Sequence, residues 1–220
     1  MNKYFVSWSG GKDSCLALFH AIKKYGQPKY LLNMLTEDGS RSRSHGLCKA
    51  VLERQAAALQ IPILFYSATW NNYENVFLQA LHELKNEGIE MGVFGDIKIP
   101  ENPDWKAHRL WADRVCAQAG MIAYEPLWEE KIDSLLDLFF NLGFIAKIIS
   151  VKSNLLNKNY LGKILDRDLI DDISVKGLNP AGEMGEYHSI VLDGPIFTEA
   201  LSLQHGDSIL KDGYWFLDVY

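Results

Sequence analysis

Along the first half of the chain, short apolar runs alternate with longer stretches whose apolar positions recur every three to four residues. Tyr4–Trp8 is the first run and Asp13–Lys24 the first helical stretch, ended by Gly26 and Pro28. Tyr30–Thr36 reads as a second strand. A polar loop, Glu37 to Ser44, separates it from a helix expected over His45–Gln60, with Leu47, Val51, Leu52, Ala58 and Leu59 on its apolar face. Pro62 introduces a third strand, Ile63–Ser67. Asn71 or Asn72 is expected to cap a helix that runs to Asn86 and stops at Gly88. Met91–Gly95 and Met121–Tyr124 read as strands on either side of a helix over Pro103–Ala119. Strands joined by helical crossovers imply parallel pairing with both sheet faces covered. The expectation is an α/β fold: a doubly wound, five-stranded parallel sheet that binds ligands beyond the carboxyl ends of its strands.

From residue 129 the pattern changes. Ile132–Leu142 reads as an apolar-rich helix capped by Gly143, and Phe144–Val151 as a strand. Short helical stretches are expected around Leu161–Leu165 and Asp168–Asp172, and a strand over Ser189–Leu192. Ala200–Leu203 and Tyr214–Val219 look like paired strands, with Asp212-Gly213 as a turn. No repeat or low-complexity linker interrupts the chain. The expected division is a larger domain over residues 1–128 and a smaller α+β domain over 129–220, packed together.

The first candidate for chemistry is Ser9-Gly10-Gly11-Lys12-Asp13-Ser14, set between a strand and a helix. Glycines allow positive φ and close backbone approach. The first helical turn offers N–H groups and the positive end of a dipole, so the stretch is a natural anion cradle. Asp13 and Ser14 suit that turn as caps or as ligand groups. The order is not Gly-x4-Gly-Lys-Ser/Thr, so this is no Walker A loop. It resembles the PP-loop of ATP pyrophosphatases, which split ATP into AMP and pyrophosphate.

Composition narrows the partners. The 220 residues are 48% apolar and 23% charged, with a formal net charge of −6. That balance supplies no basic field for stable nucleic-acid binding. Cys15, Cys48 and Cys116 lack CxxC spacing, which argues against a disulfide framework or a zinc site; Cys15 and Cys116 fall on apolar helix positions. The apolar region 135–151 is broken by Asp137, Asn141, Gly143 and Lys147, so no membrane span is expected. Met1-Asn2-Lys3 does not read as a signal peptide. A reduced, cytoplasmic setting is the expectation.

Further candidates follow from position. Asp38 and His45, in and after the second βα loop, are expected near the nucleotide, His45 at a helix start as a donor to phosphate or adenine. Arg41 and Arg43 could meet a phosphate or an acidic substrate, or simply face solvent. Asp96, at the end of the fourth strand, emerges on the same sheet edge as the opening loop and could hold Mg²⁺ or orient an amine. His108 shares a stripe with Trp111, Ala112, Val115 and Cys116 and reads as a buried structural histidine. The stretch Gly182-Glu183-Met184-Gly185-Glu186-Tyr187-His188 combines flexible backbone with two carboxylates and a histidine; its glutamates could bind ammonium, position an amine or take its proton.

Ser9–Ser14, His45-Gly46, Phe94-Gly95-Asp96-Ile97, Pro126-Leu127-Trp128 and Gly182–His188 occur in the order seen in the diphthine–ammonia ligase family of PP-loop ATP pyrophosphatases, and the sequence resembles that family over nearly its whole length. The resemblance implies an N-terminal domain of the adenine nucleotide α-hydrolase (HUP) type and a C-terminal domain supplying part of the acceptor site. It implies that ATP adenylates a carboxylate, and that ammonia then displaces AMP to leave an amide. Ser9, Gly10, Gly11, Lys12, Asp13 and Ser14 would hold the phosphates, with Lys12 and Asp13 catalytic. Asp13 and Asp96 would be the Mg²⁺ partners. Gly182, Glu183, Glu186 and His188 would form the acceptor or ammonia site, with Glu183 and Glu186 catalytic. Diphthine on elongation factor 2 would be the acceptor. Trp8 and Asn72-Tyr73-Glu74 look more like the bacterial branch, and there another carboxylate is implied, since bacteria make no diphthamide. The competing readings are a PP-loop enzyme acting on RNA or on another small acid, and a non-catalytic adenine-nucleotide sensor. The acidic balance and the lack of paired cysteines count against RNA thiolation. Nothing in the sequence decides the oligomeric state, and a homodimer stays open.

Overall fold

The computed structural model describes residues 3–98 and 105–220, with backbone alone for residues 105–108. Strands β1 (Tyr4–Ser7), β2 (Tyr30–Leu35), β3 (Ile63–Ser67), β4 (Met91–Val93) and β5 (Ile122–Tyr124) form an all-parallel sheet in the order β3-β2-β1-β4-β5. The strand order reverses between β1 and β4, so a crevice opens there at the carboxyl ends. Helices α1 (Lys12–Tyr25) and α2 (Lys49–Leu59) cover one face; α3 (Tyr73–Asn86) and α4 (Trp105–Gln118) cover the other. The period of two along β1 sets this up: Tyr4 and Val6 enter the core with α1 and α2, while Phe5 joins that of α3 and α4. The expected α/β, doubly wound five-stranded sheet is the observed one. The helix start at Pro103 and the placement of the His108 side chain lie outside the described residues.

The second half adds α5 (Ile132–Asn141), α6 (Arg167–Val175) and an antiparallel sheet of β6 (Ile145–Lys152), β7 (Tyr187–Asp193), β8 (His205–Lys211) and β9 (Tyr214–Val219), ordered β7-β6-β9-β8. One apolar core runs without a break from the α1/α2 face of the first sheet into this second lobe, from Tyr4 to Val219. Polar stitches reinforce it. The Gln55 side chain is wholly buried on α2; its Nε2 donates to Gly10 O (2.9 Å) and Val191 O (2.7 Å), and its Oε1 accepts from Trp8 Nε1 (3.2 Å). Val191 N also donates to Gly10 O (3.0 Å). No helix among the described residues is long and apolar enough to cross a membrane.

Four local expectations are corrected. Helix α2 begins at Lys49 rather than at His45, because bridges Leu35↔Ser42 and Arg41↔Cys48 and a positive φ at Gly46 (71°) hold the preceding loop. Asn72 stands at the N-cap position of α3, yet its Oδ1 accepts from Thr69 N and Thr69 Oγ1 instead of the helix. Leu161–Leu165 is not helical; the short turn lies at Lys158–Tyr160, and Ile164 bridges to Lys147. The partner of β9 is β8, not Ala200–Leu203. Positive φ at Asp212 (50°) and Gly213 (82°) makes a two-residue hairpin turn, which pairs Lys211 with Tyr214 and draws His205 opposite Val219.

Candidate active site

A cavity of about 390 Å³ lies at the sheet crevice and is lined in part by the loop before β7. Its floor is made by the ends of β1 and β2 and by Trp8, Ser9, Lys12, Asp13 and Ser14. Asp96 enters after β4, His45 from the loop before α2, and Gly182, Glu183 and His188 from the second lobe. Residues far apart in sequence, singled out for separate reasons, therefore meet in one place.

The opening loop is built for close approach. Gly10 has φ +82°, and a Cβ there would fall 2.6 Å from Gln55 Oε1. Gly11, at the N-cap position of α1, has no side chain of its own to cap the helix, a geometry suited to an anion at the first turn. Ser9 Oγ accepts from Gly11 N (3.3 Å) and donates to Ser14 Oγ (3.1 Å). Lys12 N donates to Ser189 Oγ on β7 (3.2 Å). Gly95 is equally constrained: a Cβ there would lie 2.8–2.9 Å from the backbone of Asp13 and Ser14.

Lys12 joins the two halves. Its buried ammonium sits 2.8 Å from Asp13 Oδ2 and 3.6 Å from Glu183 Oε1, donates to Ala181 O, and lies 5.5 Å from the Tyr187 ring centre. Burial opposes its charge, but Asp13, Tyr187 and Glu183 together outweigh that and raise its pKa. Glu183 carries the opposite strain. Burial and then Asp13, with a further push from Asp96 and against the pull of Lys12, raise its carboxyl above the usual carboxylate range. Two carboxyl groups, those of Asp13 and Glu183, thus share one lysine. Burial and then Asp96 also lift the Tyr73 phenol to about 12.

Among the described residues, no three ligating side chains gather into a preformed metal cage. Mg²⁺ is commonly held by one or two carboxylates together with substrate phosphates. Asp13 and Asp96, which both line the cavity, suit that role.

Four expected site residues do not line the cavity: Gly10 and Gly11, next to the lining Ser9 and Lys12, and Asp38 and Glu186. Asp38 does not line the cavity; its carboxylate is exposed and accepts from Thr36 Oγ1 (2.6 Å), Ser40 N (3.1 Å) and Ser40 Oγ (2.8 Å), closing its own turn. Those bonds hold its pKa down at about 2. Glu186 is 3% exposed and lies beneath the loop, accepting from Asn179 N and Met184 N at 2.9 Å each. It shapes the loop that presents Glu183. Glu186→Gln sets an amide N–H against one backbone donor. The expected cost is about 2 kcal/mol, read as a Tm lowered by roughly 4–8 °C; an unchanged Tm would remove the stapling role.

Of the two arginines, Arg41 pairs with Asp218 (2.7 Å) and with Gly46 O. Arg43 lies beneath Trp70, 4.8 Å from its ring centre, and bonds Glu37 and Ala68 O. Three residues escaped the reading of the sequence. Gln55 was visible as the one polar side chain within an apolar helix stripe. Trp70 lines the cavity mouth while 69% exposed; its only signal was an aromatic beside Asn71-Asn72. Glu125, after β5, is buried against Arg109 Nε (2.7 Å), and its carboxyl is raised to about 7 by burial, with Asp96 and Asp113 adding and Arg109 opposing. Its mark was a carboxylate at a strand end.

Residues 2–123 match the diphthamide synthase N-terminal domain and residues 131–219 the diphthamide synthase C-terminal domain. The chain is 27% identical over 212 residues to the diphthine–ammonia ligase of Schizosaccharomyces pombe, covering 89% of this chain and 35% of that protein. It is 24% identical over 240 residues to the human diphthine–ammonia ligase, covering 96% and 86%. It thus spans about a third of the fission-yeast relative and most of the human one. A crystal structure from Methanocaldococcus jannaschii, described as a predicted subunit of tRNA methyltransferase, shares the fold at 15% identity with a TM-score of 0.50, covering 89% of this chain and 98% of that one. With both domain models matched in order along its length, the chain belongs to the diphthamide synthase family.

Proposed function

We propose that the chain is an ATP-dependent ligase that activates a carboxylate as its adenylate, releasing pyrophosphate, and passes ammonia to it to form an amide and AMP. The observation that carries this reading is the meeting of Ser9, Lys12, Asp13 and Ser14 of the opening loop with Glu183 and His188 in one cavity, joined by Lys12. In this reading residues 1–128 bind the nucleotide and 129–220 supply the acceptor side. Ser9, Gly10, Gly11 and Ser14 cradle the phosphates. Lys12 offsets charge on the departing pyrophosphate. Asp13 and Asp96 hold Mg²⁺, which supplies further neutralisation of phosphate charge when bound. Glu183, beside Lys12, orients ammonia or the acceptor and takes a proton as the amide forms. No protein nucleophile is needed, and the buried Cys15 and Cys116 thiols are pushed up by burial, away from the reactive thiolate form.

Diphthine, part of the relatives' name, is the first acceptor to test, carried on elongation factor 2 as the sequence resemblance implies, with simpler carboxylic acids beside it. Three free thiols fit a cytoplasmic setting. The test is incubation with ATP, Mg²⁺, ammonium and each acid, following products by ³¹P NMR. AMP and pyrophosphate formed in step with amide are expected. ADP and phosphate as products would overturn the assignment.

A further inference from the structure

We propose that His45 and His188 form a joint phosphate-oxygen subsite over the backbone of Gly11, and that the pair takes up one proton as the polyphosphate enters. The proposal rests on the ATP reading above and adds the proton to it. The two imidazoles come from opposite halves of the chain, with ring centres 4.5 Å apart and planes at 47°, and both line the cavity beside Lys12. A Cβ on Gly11 would fall 2.7 Å from His45 Nε2, so the ring lies where a side chain of the phosphate loop would otherwise stand. His45 Nδ1 is 3.0 Å from Ser44 Oγ, and the Tyr214 ring of β9 stacks on His188 at 6.3 Å. Both rings are thereby held in place before any ligand arrives.

The groups facing the pair decide its charge. His45 faces Lys12 and Gly11 from the start of α1, Ser44 on its own loop, and His188. His188 faces His45, Lys12 and Tyr214. Asp13 and Glu183 pair with the Lys12 ammonium. Burial, then Lys12, lowers His188 to about 4; burial, His188 and Lys12 hold His45 well below the usual histidine range. Both rings are therefore neutral in the free protein at neutral pH. A polyphosphate adds several negative charges next to them and reverses the sign of the local field, which favours the imidazolium. One proton from solvent then binds one ring, whose N–H groups serve the neighbouring imidazole and a phosphate oxygen. The proton returns to solvent when the phosphates leave, so the cycle is balanced.

The sign of the pH effect follows. The complex holds more protons than the free chain, so ATP affinity rises as pH falls, by up to about tenfold per unit between the bound-state and free-state pKa values. The test is calorimetric titration of the full chain with ATP in excess Mg²⁺ at pH 7, in buffers of low and high ionisation enthalpy. Uptake approaching one proton per ATP is expected, the same with tripolyphosphate and absent with adenosine. His45→Gln and His188→Gln should each abolish the uptake and weaken ATP binding roughly tenfold. Glu183 pairs with Lys12 rather than with either ring, so Glu183→Gln should leave the uptake in place. ATP binding by the wild type with no buffer-dependent heat would overturn the proposal, as would uptake that survives both histidine changes and disappears with Glu183→Gln. A wild type that binds neither ATP nor tripolyphosphate would remove the nucleotide reading and this proposal together.

Discussion

Lys12→Met is expected to slow pyrophosphate release about 1,000-fold, the scale seen when one preorganised donor is removed from a developing charge. The same change should cost about 3 kcal/mol of stability, because the buried ammonium bonds Asp13 Oδ2 and Ala181 O and faces Glu183. Without it, the Asp13 carboxylate and the Ala181 carbonyl lose their cation while staying inside. Two measurements separate the effects: denaturant unfolding for stability, and pyrophosphate release under conditions where the variant is folded. Wild-type turnover in a destabilised variant would make Lys12 a structural bridge alone. Wild-type stability with lost turnover would assign it to the phosphates alone.

The second large effect is expected from Gly95→Ala. The added methyl would meet Asp13 C, Asp13 O and Ser14 N at 2.8–2.9 Å, and backbone of a first helical turn cannot swing aside as a flexible side chain can. Either β4 or the start of α1 must shift by several tenths of an ångström. We expect roughly 100-fold weaker catalysis, the scale of a small misplacement at a reacting site, with a stability loss of about 1–3 kcal/mol. ATP titration alongside a thermal melt checks it. Unchanged ATP affinity and turnover would show that the phosphate loop does not depend on this contact.

Much of the frame was legible because two periodicities write it. The runs that became β1 to β5 and the helices between them follow directly from burial on alternate strand positions and on one helix face. The opening loop was legible because glycine, lysine and helix start fall together there. What escaped depended on direction rather than proximity. Glu183 and Glu186 are three apart, yet positive φ at Gly182 and Gly185 turns the chain so that one meets the cavity and the other bonds the loop's own backbone. Asp38 was drawn into a local turn by Thr36 and Ser40, a competition that spacing alone does not reveal. The role of Gln55 depends on Val191, 136 residues away, so only its odd polarity within α2 was visible beforehand.

The Gly10 carbonyl is fixed by Val191 N and Gln55 Nε2, the Lys12 amide by Ser189 Oγ, and the Lys12 ammonium by Ala181 O. Three of these four tethers belong to the lobe that would receive the activated acid. A chain released from synthesis before that lobe has docked would hold a slack phosphate loop and leave cellular ATP untouched. Under the proposed function, nucleotide splitting would in this way be conditional on the presence of the half that uses it, and futile hydrolysis would be limited by how the chain is tied rather than by a separate inhibitor.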